Sequence, residues 1–474
     1  MKTIIEPQKE IPVFAETDVI VVGGGPAGIG SALAAARNGA KTILIEQANC
    51  LGGLQTQCLN PRFTEVDPDI QGGIIQEIID QVTREGQVIR PRDTSRRHRY
   101  EAVSFDPEYY KYLLDKMMAE AGVKLLYHAF AVGAVKEGNT LKGIIIESKE
   151  GRHAVLGKVV IDSTGSADIA WKSGAPCMAD GFPSGSKKGR HQGFGYAVTF
   201  KEVDISRFEA FRKEHPEEWG SVIAGKSLIK KAKAEGKLYG NRGAFWFTPH
   251  FGTGAIWILG PHYGLPVGHH GWMLEDFSNG EIDLRKQAWS AYNLLKNSVP
   301  GFENSHIDQL PTHLLPRDTH RILGEYVLKE EDIRQGRAFD DSIAISNHAP
   351  DVFGPDDEHE FVGNVPPYDI PYRCLVSKET DNLLAAGSTI SVDFITYAAT
   401  RYCTPSICTG QAAGTAAALA IKNRVTPKKL NVKLLQETLR KQGARISVKY
   451  VEKAVLDDYQ ARIKKAQRSS MGPE

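Results

Sequence analysis

Arg317, His320 and Arg321 crowd together in the run Pro316-Arg317-Asp318-Thr319-His320-Arg321. A guanidinium offers a planar fork of donors that matches a carboxylate, and an imidazole can change charge near neutral pH. The triplet therefore reads as a cationic clamp with a proton donor beside it. Arg401 is a second clamp of the same type. For each arginine the structural alternative is an ion pair with Glu325, Asp332 or Asp393. His250, His262, His269 and His270 lie in an aromatic, glycine-rich stretch and offer one general base among them, with His250 carried as the candidate. His269 and His270 are adjacent and cannot both face one pocket from a regular strand, and the four lack the ordered spacing of a metal site. Tyr397 is a further acid/base candidate. Cys403 and Cys408 have CxxxxC spacing; a redox dithiol is the chemical reading, but Pro405 begins a helix there and two core thiols suffice.

A stronger signal lies near the start. Gly23-Gly24-Gly25-Pro26-Ala27-Gly28 follows the apolar run Asp18–Val22 and opens an alanine-rich stretch. That is a GxGxxG loop between a strand and a helix, followed by the strand Thr42–Ile45 and then Glu46. Gly23 permits the turn, Gly25 lets the backbone approach a pyrophosphate, and Gly28 lets helix and strand pack closely. The helix N-terminus supplies free N–H groups and the positive end of a dipole. Glu46 can accept hydrogen bonds from ribose hydroxyls. The unit is a dinucleotide-binding βαβ.

The remaining elements must place the arginines and histidines against that unit. Val123 to Glu150 reads as short strands with turns, and Val159–Asp162 as a buried strand running into Ser163-Thr164-Gly165. A dehydrogenase for a nicotinamide cofactor continues directly into further βα units; this chain inserts a meander instead, and no second GxGxxG follows. The fold expected is α/β: a Rossmann-type FAD-binding domain formed by residues 1–193 and 363–425, an inserted α+β substrate domain at 194–362, and C-terminal helices at 426–474. Pro350 to Pro367 is expected to be a linker.

Composition narrows the classes. Lys and Arg number 58 against 57 Asp and Glu, so no basic stripe points to nucleic acid. No 18-residue apolar run suggests a membrane span, and Glu6, Lys9, Glu10 and Glu16 interrupt any leader-like apolar stretch. Six cysteines are too sparse for a secreted disulfide framework. A cytoplasmic setting is the expectation.

The segments DVIVVGGGPAGIGSALAAARNGAKTILIEQ (18–47), LGG (51–53), VVIDSTGSADIA (159–170), NLLAAGSTIS (382–391) and GQAAGTAAALA (410–420) resemble the FAD-dependent oxidoreductase family related to fumarate reductase and succinate dehydrogenase flavoproteins. PRDTHRILGEYVL (316–328) and YDIPYRCL (368–375) are similar to that family's pattern as well. The resemblance implies that Gly23, Gly25 and Gly28, with Pro26 and Ala27, hold the pyrophosphate. It puts Glu46 at the adenosine ribose with Gln47 beside it, Gly53 at the flavin, Val132 near the adenine, and Thr164 and Gly165 near the dinucleotide. Gly387, and the helix starting near Gly410 with Ala412 in it, would face the flavin's pyrimidine end, where a helix N-terminus stabilises negative charge. Some relatives carry a histidine after the Gly-Gly pair as a covalent flavin link; here Leu54 and Gln55 follow, so non-covalent FAD is expected, with Cys58 a buried thiol. The activity implied is hydride transfer between flavin and a small organic substrate, a carboxylate being one candidate. The alternatives are a flavin monooxygenase and a flavoprotein that modifies a macromolecule such as tRNA, the latter disfavoured by the neutral charge balance. The electron donor or acceptor and self-association are left open.

Overall fold

A computed structural model describes residues 2–89, 101–221, 223–240, 243–250, 254–354, 359–361 and 363–470. β1 (Val13–Val22) leads into α1 (Pro26–Arg37) and β2 (Thr42–Ile45). The two strands pair in parallel, Val19 opposite Thr42 through Val22 opposite Ile45. Val19 and Val21 enter one hydrophobic core, whereas Ile20 and Val22 enter another. A strand buried on both faces needs apolar residues at every position, because successive side chains point to opposite sides. That requirement explains the unbroken run Val19–Val22.

The long strand Gly151–Asp162 lies on the other side of β1 and forks. Its last residues, Val160–Asp162, pair in parallel with Leu383–Ala385. Its first half pairs antiparallel with Thr140–Ser148, which pairs in turn with Phe130–Glu137. The parallel part of the sheet therefore runs Lys124–Leu126, β2, β1, Gly151–Asp162, Leu383–Ala385. The mixed α/β fold with a Rossmann-type core stands as expected, and the meander lies where the sequence puts it.

The helix Cys403–Lys422 crosses α1 at close range. A Cβ on Gly410 would sit 2.1 Å from the Ala27 carbonyl oxygen, one on Gly30 2.4 Å from that of Ile407, and one on Gly414 2.0 Å from that of Ser31. Glycine inside a helix costs about 0.5–1 kcal/mol relative to alanine, and here it lets two backbones meet. The crossing presses α1, and with it the phosphate loop, against the segment that follows Ala385.

A second sheet runs Ile223–Ala224, Phe245–His250, Ala255–Tyr263, Phe194–Lys201, His306–Gln309, with Leu315–Pro316 beside Phe194 and Gly195. The helix Leu274–Ser298 buries Leu284, Ala288, Ala291 and Leu295 in its core. That core ends at Leu314; Leu328, Ile333, Phe339 and Ile343 already belong to the first core. The return to the first unit thus comes before the Val362 boundary expected from the sequence, because burial, not polarity, assigns these residues. The expected linker at Pro350 to Pro367 includes a strand pair, Asp351–Phe353 with His359–Phe361. Of the C-terminal helices, Val432–Lys441 buries Leu435 and Leu439 in the first core, and Tyr459 of Lys453–Ser470 donates to Asp67 Oδ2 at 2.9 Å. Among the described residues no helix is long and apolar enough to cross a membrane.

Candidate functional site

A cavity of about 420 Å³ opens where the two units meet. Gly23, Gly25, Pro26, Ala27, Glu46, Gln47, Gly53, Thr164 and Gly165 line one part of it. Trp272, Phe277, His313, Tyr397, Arg401 and Cys403 line another.

The phosphate loop is shaped by close contacts. Gly23 has φ +97, and a Cβ there would lie 2.4 Å from the Ser163 carbonyl oxygen; a Cβ on Gly28 would lie 1.8 Å from that of Gly23. Gly25 differs: an added Cβ would meet only the Gly53 Cα, at 3.9 Å. Gly25 caps α1, and Pro26 begins it, where the missing N–H is no loss. The N–H groups of that first turn have no partner within a helix, and the space above Gly25 is open for an anion.

Glu46 is buried, and its carboxylate orders the loop: Oε2 accepts from Gly24 N–H at 2.6 Å and Oε1 from Ala48 N–H at 2.7 Å. A carboxylate has about four acceptor sites, so lone pairs remain for hydroxyls on the cavity side. Asp162 ends its strand with no local signal of a further role. It is fully buried, accepts from Thr164 N–H at 3.1 Å and Thr164 O–H at 2.7 Å through Oδ1, and from Ile169 and Ala170 N–H at 2.9 Å through Oδ2. It thereby fixes the Ser163–Gly165 turn. Ser163 Oγ, on the cavity wall, is buried with no partner. An open space over Gly25, unpaired helix N–H groups, a partly used Glu46 and an orphan Ser163 hydroxyl fit a dinucleotide with ribose hydroxyls and phosphates.

Other expected positions fall outside the wall. Val132 lies in the Phe130–Glu137 strand and does not line the cavity, whereas Phe130 does. Gly387 has φ +76, and its N–H donates to Thr409 Oγ1 at 3.0 Å; its neighbours Ala386 and Ser388 form the wall. Gly410 and Ala412 lie within the Cys403–Lys422 helix, buried, Gly410 at the crossing with α1. The helix begins at Cys403, so its open end carries Cys403 and Ser406 to the cavity, not Gly410.

The cationic cluster is divided by the fold. Arg401, at the end of the helix Phe394–Thr400, lines the cavity with its side chain 10% exposed. Its Nη2 donates to the Asp351 carbonyl at 2.8 Å and lies 3.5 Å from Asp351 Oδ2, while its Nε is buried without a partner. Arg317, His320 and Arg321 do not line the cavity. Arg321 is fully buried, ion-paired with Asp180 and 4.9 Å from the centre of the Tyr397 ring. Arg317 lies over Phe353 at 3.8 Å. His320 is sandwiched between Trp171 and Trp272, ring centres at 4.4 and 3.8 Å. Burial, with His270 and Arg321 nearby, pulls its pKa down to about 4. The ion-pair partners are therefore Asp180 and Asp351, not Glu325, Asp332 or Asp393: a short strand pairing, Cys177 with Ile322 and Met178 with Arg321, turns Arg321 towards Asp180.

The histidine and tyrosine candidates separate too. His250 ends the strand Phe245–His250, and its side chain lies outside the described residues. His262 is buried. His269 Nδ1 pairs with Asp276 at 2.8 Å, and His270 stacks on Trp272. Among the described residues no cluster of His, Cys, Asp or Glu could hold a metal. Tyr397 lines the cavity; Thr319 O–H donates to Gly165 O at 2.8 Å, so in the 3.1 Å contact between the two hydroxyls Tyr397 donates to Thr319. Burial raises the Tyr397 pKa, and it stays a phenol. Asp168, also on the wall, is raised to about 6 by burial. The six cysteines are free; burial pushes Cys403 and Cys408 up to about 12 and Cys58 higher, so all three stay thiols. His313, on the cavity wall, has no local sequence signal at all: it is a single histidine in a loop.

The chain matches the FAD dependent oxidoreductase family over residues 18–439. A digeranylgeranylglycerophospholipid reductase of Methanocaldococcus jannaschii is 30% identical over 158 residues, which is 31% of this chain and 38% of that protein. The match thus spans well under half of the relative's length. Among solved structures, a geranylgeranyl bacteriochlorophyll reductase-like protein of Thermoplasma acidophilum is similar at 14% identity, covering 95% of this chain and 96% of that one, with a TM-score of 0.45. A p-nitrophenol 4-monooxygenase of Pseudomonas putida is similar at 11% identity, covering 96% and 92%, with a TM-score of 0.42.

Proposed function

The chain belongs to the FAD dependent oxidoreductase family, and from that premise we propose that it transfers hydride between FAD and a small organic substrate bearing a carboxylate. The residues that would hold FAD are Gly25, Pro26, Ala27, Glu46, Ser163, Thr164 and Gly165, with Gly53 and Ser388, all of which line the cavity. Bound there, FAD supplies two-electron chemistry. We infer non-covalent binding from Leu54, which stands where a linking histidine would. The finer kinship with fumarate reductase and succinate dehydrogenase flavoproteins is part of this reading and rests on sequence motifs alone.

One observation carries the substrate class: Arg401 presents a nearly buried guanidinium to the cavity, anchored through one nitrogen and with Nε unpartnered. Its one anion, Asp351 Oδ2, stands 3.5 Å off and leaves Nε unmatched, and a planar fork suits a second carboxylate. Trp272 and Phe277 line the same cavity, and an apolar wall strengthens charge pairing. Tyr397, its proton directed to Thr319, offers an oxygen lone pair and not a proton. The test is titration of the yellow holoprotein with succinate, fumarate and L-malate, read by the flavin absorbance shift. The parent should saturate, and Arg401→Lys should bind at least 10-fold more weakly with an unchanged flavin spectrum. Equal binding by both proteins removes the carboxylate from the reading.

A further inference from the structure

We propose that His313 is the residue that exchanges the substrate's proton, through Nε2, and that the substrate carries an O–H or N–H on the carbon that gives up hydride. This rests on the carboxylate substrate read from Arg401.

His313 lines the same cavity as Arg401 and Tyr397. Its Nδ1 lies 2.5 Å from the Leu314 carbonyl oxygen. A carbonyl only accepts, so Nδ1 carries the proton. In the neutral imidazole Nε2 then bears the lone pair, and it makes no hydrogen bond among the described residues. The loop that holds the ring is pinned from both sides. Leu314 N–H donates to Glu281 Oε1 at 2.7 Å, so the residue whose carbonyl fixes His313 is itself held by a carboxylate. Cys58 Sγ reaches the same carbonyl at 3.3 Å, and Thr312 N–H donates to Gln57 O at 3.0 Å. Phe277 meets the imidazole edge-on, ring centres 5.7 Å apart. The charged or titratable groups around the ring are thus Glu281 behind the Leu314 peptide, the Cys58 thiol, and Arg401 on the same cavity.

The other groups on this part of the wall do not compete. The Tyr397 proton is directed to Thr319, Ser388 O–H donates to Gly165 O at 3.1 Å, and Cys58 and Cys403 are held as thiols by burial. His313 Nε2 is an unpaired proton acceptor here, and Arg401 keeps an unpartnered Nε beside its contact with Asp351. Their combination suits a 2-hydroxy or 2-amino carboxylate. The carboxylate sits on Arg401. The O–H or N–H bond breaks with its proton going to His313 Nε2. FAD, held by Gly25, Glu46, Ser163 and Thr164, would supply the two-electron oxidant that takes the C–H hydrogen with its electron pair as a C=O or C=N bond forms. In the reverse direction the same nitrogen returns the proton.

Two variants and two readouts test this. His313→Asn keeps a donor near the Nδ1 position and removes Nε2; His313→Gln is the comparison. Histidine ¹⁵N NMR of the FAD-loaded protein, assigned by loss of a signal in His313→Asn, should show Nδ1 protonated and Nε2 not. Anaerobic flavin bleaching by L-lactate, L-malate and L-alanine, with succinate as the control lacking O–H and N–H, gives the rate. His313→Asn should slow bleaching by about 10²–10⁴-fold, the usual range for a lost acid/base, and erase the pH-dependent limb, with succinate binding unchanged. An Nε2-protonated tautomer, or parental bleaching rates in either variant, overturns the assignment. If succinate binds through Arg401 but no hydroxy or amino acid bleaches the parent, the substrate class is wrong while the carboxylate reading survives. If succinate does not bind, the carboxylate reading itself falls and this proposal falls with it.

Discussion

Gly25→Ala separates binding from folding. In the folded chain Gly25 has φ −71 and ψ −174, a conformation open to alanine. Its added Cβ meets one atom, at 3.9 Å. The substitution therefore costs the fold almost nothing, and by narrowing the unfolded ensemble it stabilises the apoprotein by about 0.4–1 kcal/mol. In the proposed FAD site the same methyl would stand in the space where the pyrophosphate approaches the backbone. Displacing about two charge-assisted hydrogen bonds, at about 1.5–3 kcal/mol each, weakens FAD by about 3–6 kcal/mol, or about 10²–10⁴-fold in Kd. Gly28→Ala is the contrast: its Cβ would lie 1.8 Å from the Gly23 carbonyl oxygen, so the loop must move and stability falls by about 1–3 kcal/mol or more. Calorimetry of the two apoproteins and fluorescence titration with FAD read both effects. An apoprotein of Gly25→Ala that melts as low as Gly28→Ala, or one that binds FAD as the parent does, refutes the reasoning.

Acid precipitation should release FAD into the supernatant; flavin retained on the pellet would mean a covalent link despite Leu54. Arg321→Lys should lower the melting temperature, because a fully buried guanidinium paired with Asp180 and lying over Tyr397 loses its fit, yet leave FAD affinity near parental; a lost flavin spectrum at parental melting temperature would return Arg321 to the site. Glu46→Gln should weaken FAD and also loosen the loop, since its carboxylate accepts from Gly24 and Ala48; equal FAD affinity would count against the assignment. Acid should destabilise the fold in a defined window. His320 is held neutral down to about 4 against 6.5 in the unfolded chain, so the unfolded state takes the proton first. Stability is full above pH 6.5, falls as pH drops towards 4, and levels off below; at 1.36 kcal/mol per pH unit the loss is about 3 kcal/mol. Urea unfolding of the parent and His320→Gln between pH 7 and 4 checks this, and identical slopes would exclude the imidazole as the cause.

The dinucleotide unit could be read directly from residues 18 to 46. Strand, glycine loop, helix and acid are local in the chain, and each has a short-range signature: doubly buried apolar residues, glycines where a Cβ would strike a carbonyl, a proline at a helix start, an acid at a strand end. Glu46 and Gly25 were legible for that reason. Asp162 was not, because nothing in Val-Val-Ile-Asp says that its carboxylate turns back to four donors. The opposite wall had no such local record. Trp272, His313, Tyr397 and Arg401 come from three separate stretches and meet only when the second sheet docks beside the helices Phe394–Thr400 and Cys403–Lys422. In the Pro316–Arg321 run the spacing of the basic residues suggested a clamp, but which way each side chain turns follows from the pairing of Arg321 with Met178 and from the Trp171 and Trp272 rings that enclose His320. A cation's role depends on whether it finds a partner within a few ångströms, and that distance is set by tertiary contacts between residues far apart in sequence. Arg321 found Asp180 and became part of the interior; Arg401 kept part of its guanidinium for the cavity.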